Sequence, residues 1–139
     1  FFSYSMTSPA VLVLLVAISS VFAQPPAVQE PIQEIGVQEG SVLKIDAQGQ
    51  PRVWYRILKG KKETEKQWVD SCKTSGEKVC NKWKYGFPPK TLDSAVSVDE
   101  QGTLVMDKFT KADEGKYFYY YANWDQIVHY VYYDVKLEE

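Results

Sequence analysis

Polar and apolar positions alternate with period two through most of the chain beyond residue 40. Leu43, Ile45 and Ala47 alternate with Lys44 and Asp46, which predicts a half-buried strand. Gln48-Gly49-Gln50-Pro51 ends it, and Val53 to Leu58 is a strand by its β-branched and aromatic content. Ala95 to Val98, Leu104 to Met106, Tyr117 to Ala122 and Ile127 to Leu137 are further strands. Turn residues separate them: Asp99-Glu-Gln-Gly102, Asp113-Glu-Gly115 and Asn123-Trp-Asp-Gln126. Residues 61–95 lack a clear period and read as a long irregular insert, with a hairpin between Trp68 and Trp83 and a stop at Phe87-Pro88-Pro89. No helical period appears after residue 23. Short strands with turn signals at regular intervals predict an all-β sandwich.

The centre of the pattern is Leu104-x-Met106 followed by Asp113-x-Gly115-x-Tyr117 and Tyr119. With Pro31, Val37, Glu39-Gly40, Gly49-x-Pro51, Trp54-Tyr55 and Asn123, these residues resemble an immunoglobulin-superfamily domain of the I or V set, over residues 31–62 and 102–137. The resemblance implies a Greek-key immunoglobulin-like β-sandwich over residues 31–139 and a likeness to small single-domain secreted proteins. It places Tyr117 at the tyrosine corner, where its hydroxyl bonds back to upstream backbone. It also places Ala47 and Tyr119 where the disulfide between the sheets would be, so that bridge cannot form. Loss of such a bridge costs a small domain about 2–5 kcal/mol. A buried tyrosine covers about 150–250 Å², and Tyr119 is expected to pack on Trp54 in the space Ala47 leaves. Leu104, Asp113 and Gly115 complete the expected structural set, Gly115 for its freedom to take positive φ in the turn.

Tyr117-Phe-Tyr-Tyr-Tyr121 places five aromatic residues on one strand. Side chains alternate between faces, so if Tyr117, Tyr119 and Tyr121 point into the core, Phe118 and Tyr120 point out. The same parity turns out Tyr130 and Tyr132 on the last strand, and Val53, Tyr55 and Ile57 on the Trp54 strand. The resemblance implies that these three strands are neighbours in one sheet. Their outer faces would then form one aromatic and β-branched surface, of the kind that marks an interface. The competing expectation is internal cover of that face by residues 61–95, with Trp68, Trp83, Tyr85 and Phe87.

Composition changes the picture in three places. Ala10 to Ile18 is an unbroken apolar run, followed by small Val21 and Ala23 before Gln24. Too short to span a bilayer, it reads as a signal peptide over residues 1–23, with residues 24–30 an extended lead-in and Met6 a candidate start. A secreted, extracellular chain without a membrane anchor in its mature part is expected. Net charge is −2, yet residues 52–90 hold 11 Lys/Arg against 4 Asp/Glu. The alternative function is therefore a secreted module binding a polyanion, such as a sulfated glycan, through Lys73, Lys78, Lys82 and Lys84. Nucleic acid is not expected on an exported acidic domain. Cys72 and Cys80 are the only cysteines and should pair in an oxidising compartment.

Catalysis has no constellation to rest on. His129 is the sole histidine and reads as structural, no glycine-rich phosphate loop occurs, and the Asp113-Glu114 carboxylates read as solvated turn residues. No enzyme activity, cofactor or metal site is expected. The function expected is extracellular protein–protein binding, to another protein or to a second copy, through Val53, Tyr55, Ile57, Phe118, Tyr120, Tyr130 and Tyr132.

Overall fold

A computed structural model describes residues 26–73 and 79–139. The expected leader and Lys78 lie outside the described residues. Strand β1 spans Ala27–Gln29, β2 Gln33–Val37, β3 Leu43–Ile45, β4 Val53–Leu58, β5 Gln67–Asp70, β6 Lys84–Tyr85, β7 Lys90–Thr91, β8 Val96–Val98, β9 Leu104–Met106, β10 Gly115–Ala122 and β11 Val128–Leu137. They form two sheets. The larger has the order β1-β11-β10-β4-β5-β6-β7, with β2 also on β11; the smaller has the order β3-β9-β8.

The long hairpin β10–β11 organises the larger sheet, with Tyr117 opposite Tyr133 and Tyr120 opposite Tyr130. β4 runs antiparallel along the other side of β10. β1 and β2 both run parallel to β11, on either side of the break at Pro31. The extended lead-in thus carries a strand, β1. In immunoglobulin lettering β3, β9 and β8 match strands B, E and D, β11, β10 and β4 match G, F and C, and β5 and β6 extend the sheet as in variable-type domains. The fold is an immunoglobulin-like β-sandwich.

The core lies between the sheets. It holds Leu43, Ile45, Val98, Leu104, Met106 and Phe109 from one side, and Trp54, Val69, Tyr117, Tyr119, Val131 and Val135 from the other, all buried. The Trp54 indole Nε1 donates to the Gly102 carbonyl at 2.7 Å, and Gly102 takes φ +83° in the turn before β9. Tyr119 packs on Trp54 with ring centroids 4.6 Å apart. Its hydroxyl accepts from the Gln48 backbone N–H at 2.9 Å, beside half-buried Ala47. The Tyr–Ala pair thus fills the space a bridge would occupy.

Tyr117 makes the corner. Its hydroxyl donates to the Asp113 carbonyl at 2.5 Å. Gly115 follows, but its φ is not in the left-handed region. Glycine is needed there for another reason: a Cβ would stand 2.8 Å from the Leu58 Cα, where β10 closes on β4. The Glu114 side chain, expected in solvent, is buried, and its Oε2 accepts from the Leu137 N–H at 2.8 Å. It ties the corner to the end of β11.

Residues 61–95 are more regular than expected. The irregular hairpin expected there is built on β5 and β6, which pair antiparallel, and with β7 they continue the sheet. Trp83 points inward and is fully buried. The Arg56 guanidinium lies over the Trp83 ring at 4.2 Å. It donates to Gln67 Oε1 at 2.7 Å, to Asp113 Oδ1 at 3.2 Å and to the Tyr117 hydroxyl at 3.1 Å. A buried cation is stable only when paired and hydrogen-bonded, and this one joins the insert to the corner. Cys72 and Cys80 are disulfide-bonded, with Cα atoms 4.9 Å apart.

Candidate functional site: the outer aromatic face

The cross-strand register decides which side chains share the outer face of the larger sheet. Tyr55 stands opposite Phe118 and also opposite Trp68, and Phe118 stands opposite Tyr132. Paired residues project to the same side. A row of four aromatic residues, Trp68, Tyr55, Phe118 and Tyr132, therefore crosses β5, β4, β10 and β11. The rings of the last three stack, with Tyr55–Phe118 centroids 5.3 Å apart and Phe118–Tyr132 4.9 Å apart. Tyr120 and Tyr130 form the next pair, 5.7 Å apart, and Tyr120 also stacks on Tyr55 at 5.9 Å. Val53 and Ile57 lie on the same face of β4, each half-buried.

The parity expected from the sequence is the parity found, but exposure within the face is uneven. Tyr120 is 48% exposed. Phe118, expected to be accessible, is only 5% exposed. Neighbouring rings flank it, and the Lys66 ammonium lies 5.9 Å above it and 5.2 Å above Tyr55. Lys116 caps Tyr132 in the same way, at 5.7 Å. Cover by residues 61–95 is thus limited to a fringe. The Lys66 ammonium stands over one border, and Glu63, in a 3₁₀ turn at Glu63–Glu65, acts on the Tyr132 hydroxyl. Phe118 is an internal support, Tyr120 is exposed, and Val53, Tyr55, Ile57, Tyr130 and Tyr132 are half-buried. Trp68 is a member of the face that parity within the insert could have flagged. Its place opposite Tyr55 required the register of β5.

Burial, reinforced by neighbouring Tyr120 and Asp70, holds the Tyr55 hydroxyl well above the usual tyrosine range. Burial also raises the pKa of Tyr132. Both are neutral phenols at physiological pH, and the face therefore offers ring area with polar tips and no tyrosinate charge.

Of the four lysines expected to meet a polyanion, Lys78 lies outside the described residues, and Lys73, Lys82 and Lys84 differ in exposure. Lys84 is buried, with its ammonium 2.7 Å from Asp70 Oδ2. Asp70 neutralises it, which leaves nothing to offer an external anion. Lys73 faces Glu100 at 3.5 Å, and Lys82 is exposed. A separate cleft of about 670 Å³ at the foot of β4, β10 and β11 is lined by Lys59, Lys61, Lys111, Lys116 and Lys136, but also by Glu114, Asp134, Glu138 and Glu139, so its charge is mixed.

His129 stacks on Tyr121 at 4.9 Å, with Nδ1 3.3 Å from Glu30 Oε1. It fastens the segment after β1 to β11. Among the described residues, no cluster of three or more His, Cys, Asp or Glu is placed to hold a metal ion, and no helix is long and apolar enough to cross a membrane.

No family model matches the chain, and no curated protein matches it. Among solved structures it is similar to the extracellular fragment of novel immune-type receptor 10 from Ictalurus punctatus, at 15% identity and TM-score 0.47, covering 77% of this chain and 98% of that one. It is also similar to the extracellular fragment of novel immune-type receptor 11 with its stalk region, from the same organism, at 16% identity and TM-score 0.49, covering 79% and 87%. The strand order, the corner at Tyr117 and the Trp54 core define the molecule on their own: it is an immunoglobulin-like domain in which an Ala–Tyr pair replaces the bridge between the sheets.

Proposed function

We propose that the domain is a secreted recognition module that binds protein through the outer face of the β4–β10–β11 sheet, and that its partner at this face is a second copy of the chain. The observation that carries this reading is the ladder of stacked rings ending in half-exposed Tyr120. Antiparallel sheets of this kind ordinarily turn polar side chains to water. Here the outer side of three adjacent strands carries Val53, Tyr55, Ile57, Phe118, Tyr120, Tyr130 and Tyr132, joined by Trp68. Tyrosine rings supply large contact area at small cost in side-chain entropy, with a hydroxyl to satisfy at the edge.

Self-pairing is favoured by the fringe. It carries both signs, with Lys66 and Lys116 beside Glu63 and Asp134, so two copies related by a two-fold axis can match opposite charges around a shared aromatic centre. The leader-like run, read from sequence, and the Cys72–Cys80 bridge support an oxidising, extracellular setting.

The test is a pair of charge substitutions read by light scattering after gel filtration. Tyr120→Glu should abolish association while leaving the near-ultraviolet circular dichroism of the core unchanged. Lys44→Glu, on the exposed side of the smaller sheet, should leave association intact. Equal behaviour of the two variants would overturn the assignment to this face.

A further inference from the structure

The hairpin that carries the outer face ends in a tryptophan that its own chain leaves in water. Trp124, in the loop between β10 and β11, is 96% exposed. Trp54 and Trp83 are fully buried and Trp68 is half-buried, so it is the one exposed tryptophan among four. The loop is held in spite of that exposure. The Gln126 N–H donates to the Asn123 carbonyl at 2.8 Å, and the Ile127 N–H donates to Asp125 Oδ1 at 3.1 Å. Asn123 Nδ2 lies 3.4 Å from His129 Nε2. A turn ordered in advance loses little freedom when it docks.

Below the loop, the strand register sets two rows across the outer face. Tyr120, Tyr130 and Gln29 form one, and Ala122, Val128 and Ala27 form the next, one step nearer the loop. The first row is bulky. The second is small and open, with Ala122 and Ala27 exposed and Val128 half-buried. On the far side of the Tyr120 row lies the row of Tyr55, Phe118 and Tyr132, over which the Lys66 and Lys116 ammoniums stand.

These rows distinguish two orientations for a symmetric pair. A two-fold axis along the strands sets the Tyr120 row on its own copy, bulky against bulky, and leaves Trp124 beyond the contact. An axis across the strands, midway between the two rows, sets Tyr120 and Tyr130 of one copy on Ala122 and Val128 of the other. Large side chains then meet small ones, which close packing at an interface favours. Under this axis a step along one copy is matched by a step back along the other, so position 124 comes over position 118. Asp125, beside Trp124, then approaches the Lys66 and Lys116 ammoniums, opposite in sign.

We propose, resting on the self-pairing reading above, that Trp124 is the anchor of the pair: the ring of each copy covers the Tyr55–Phe118–Tyr132 row of the second copy, beside Lys66 and Lys116. Tryptophan is prominent among residues that dominate binding energy, and its ring is the strongest aromatic partner for an ammonium group. The half-buried Tyr55 and Tyr132 supply the surface it meets, and Phe118 supports them from between.

Sedimentation velocity and acrylamide quenching of tryptophan fluorescence, both followed against concentration of the purified protein, test this arrangement. Quenching should fall as the dimer forms, and most of that fall should be missing in Trp124→Phe at concentrations where the variant is dimeric. Trp124→Ala should weaken the dimer at least about tenfold, the loss expected of an anchor residue. Ala122→Trp, which fills the small row, should abolish it. Both positions are exposed, so near-ultraviolet circular dichroism of the core should stay as in the parent. A dimer lost in Tyr120→Glu but unchanged in strength by Trp124→Ala or by Ala122→Trp, or one in which Trp124 stays open to the quencher, would overturn this arrangement and leave pairing through the face in place. A parent protein that is monomeric at every concentration would overturn both.

Discussion

Tyr117 shows how much one side chain can determine. Its hydroxyl gives a hydrogen bond to the Asp113 carbonyl and takes one from Arg56, inside a core that excludes water. Burial pushes its pKa up to about 12 from the ordinary value of 10.0, although Arg56 pulls the other way. The folded state therefore holds this proton more tightly than the unfolded chain does. The resulting stability is fully present below about pH 10 and is lost as pH rises towards 12. Tyr55 and Tyr133, both shifted upward, act in the same direction. Absorbance of tyrosinate near 295 nm, followed with melting temperature, should show unfolding coincide with the last ionisations. Tyr117→Phe should lower stability by about 1–3 kcal/mol, because two buried partners lose their mate, and should delay the alkaline loss. The corner and the Tyr119–Trp54 contact were legible in the spacing Asp113-x-Gly115-x-Tyr117-x-Tyr119. The burial of Glu114 was not, because it depends on Leu137 arriving from the far end of the chain.

Among the elements, β5 and β6 show where pattern loses its grip. β6 and β7 span two residues each, too few for an alternation to be seen, and β5 spans four. What holds β6 beside β5 is in part the buried Lys84–Asp70 pair. Removing one member leaves a buried charge alone, which typically costs about 3–5 kcal/mol, whereas replacing both by apolar residues is often neutral or better. Urea unfolding should therefore show Lys84→Met strongly destabilised and Lys84→Met with Asp70→Leu largely restored. A single variant as stable as the parent would mean that the pair is solvated. The nearby Cys72–Cys80 bridge closes a short loop. In the chain-entropy model its loss should lower stability by about 2.5 kcal/mol, measurable by urea unfolding of a Cys72→Ser/Cys80→Ser variant. That pairing was legible, since two cysteines leave one partner for each. The partner strands were not, because register is set by the turns and by contacts distant in sequence.

At the scale of the molecule, the sandwich separates two kinds of tyrosine. Tyr117, Tyr119 and Tyr133 are spent on the core, where they replace a covalent bridge with ring packing. Tyr55, Tyr120, Tyr130 and Tyr132 build the outer face. Strand parity in the sequence alone distinguishes the two sets. It could not show that Phe118 is sealed by its neighbours and by Lys66, or that Trp68 lengthens the row, because both facts depend on how β5 lies against β4. The most direct test of the pairing account is sedimentation velocity of the purified protein across a wide concentration range at physiological salt. The account predicts a dimer that dissociates on dilution and is absent in Tyr120→Glu. A monomer at every concentration, or a dimer indifferent to Tyr120→Glu, would contradict it.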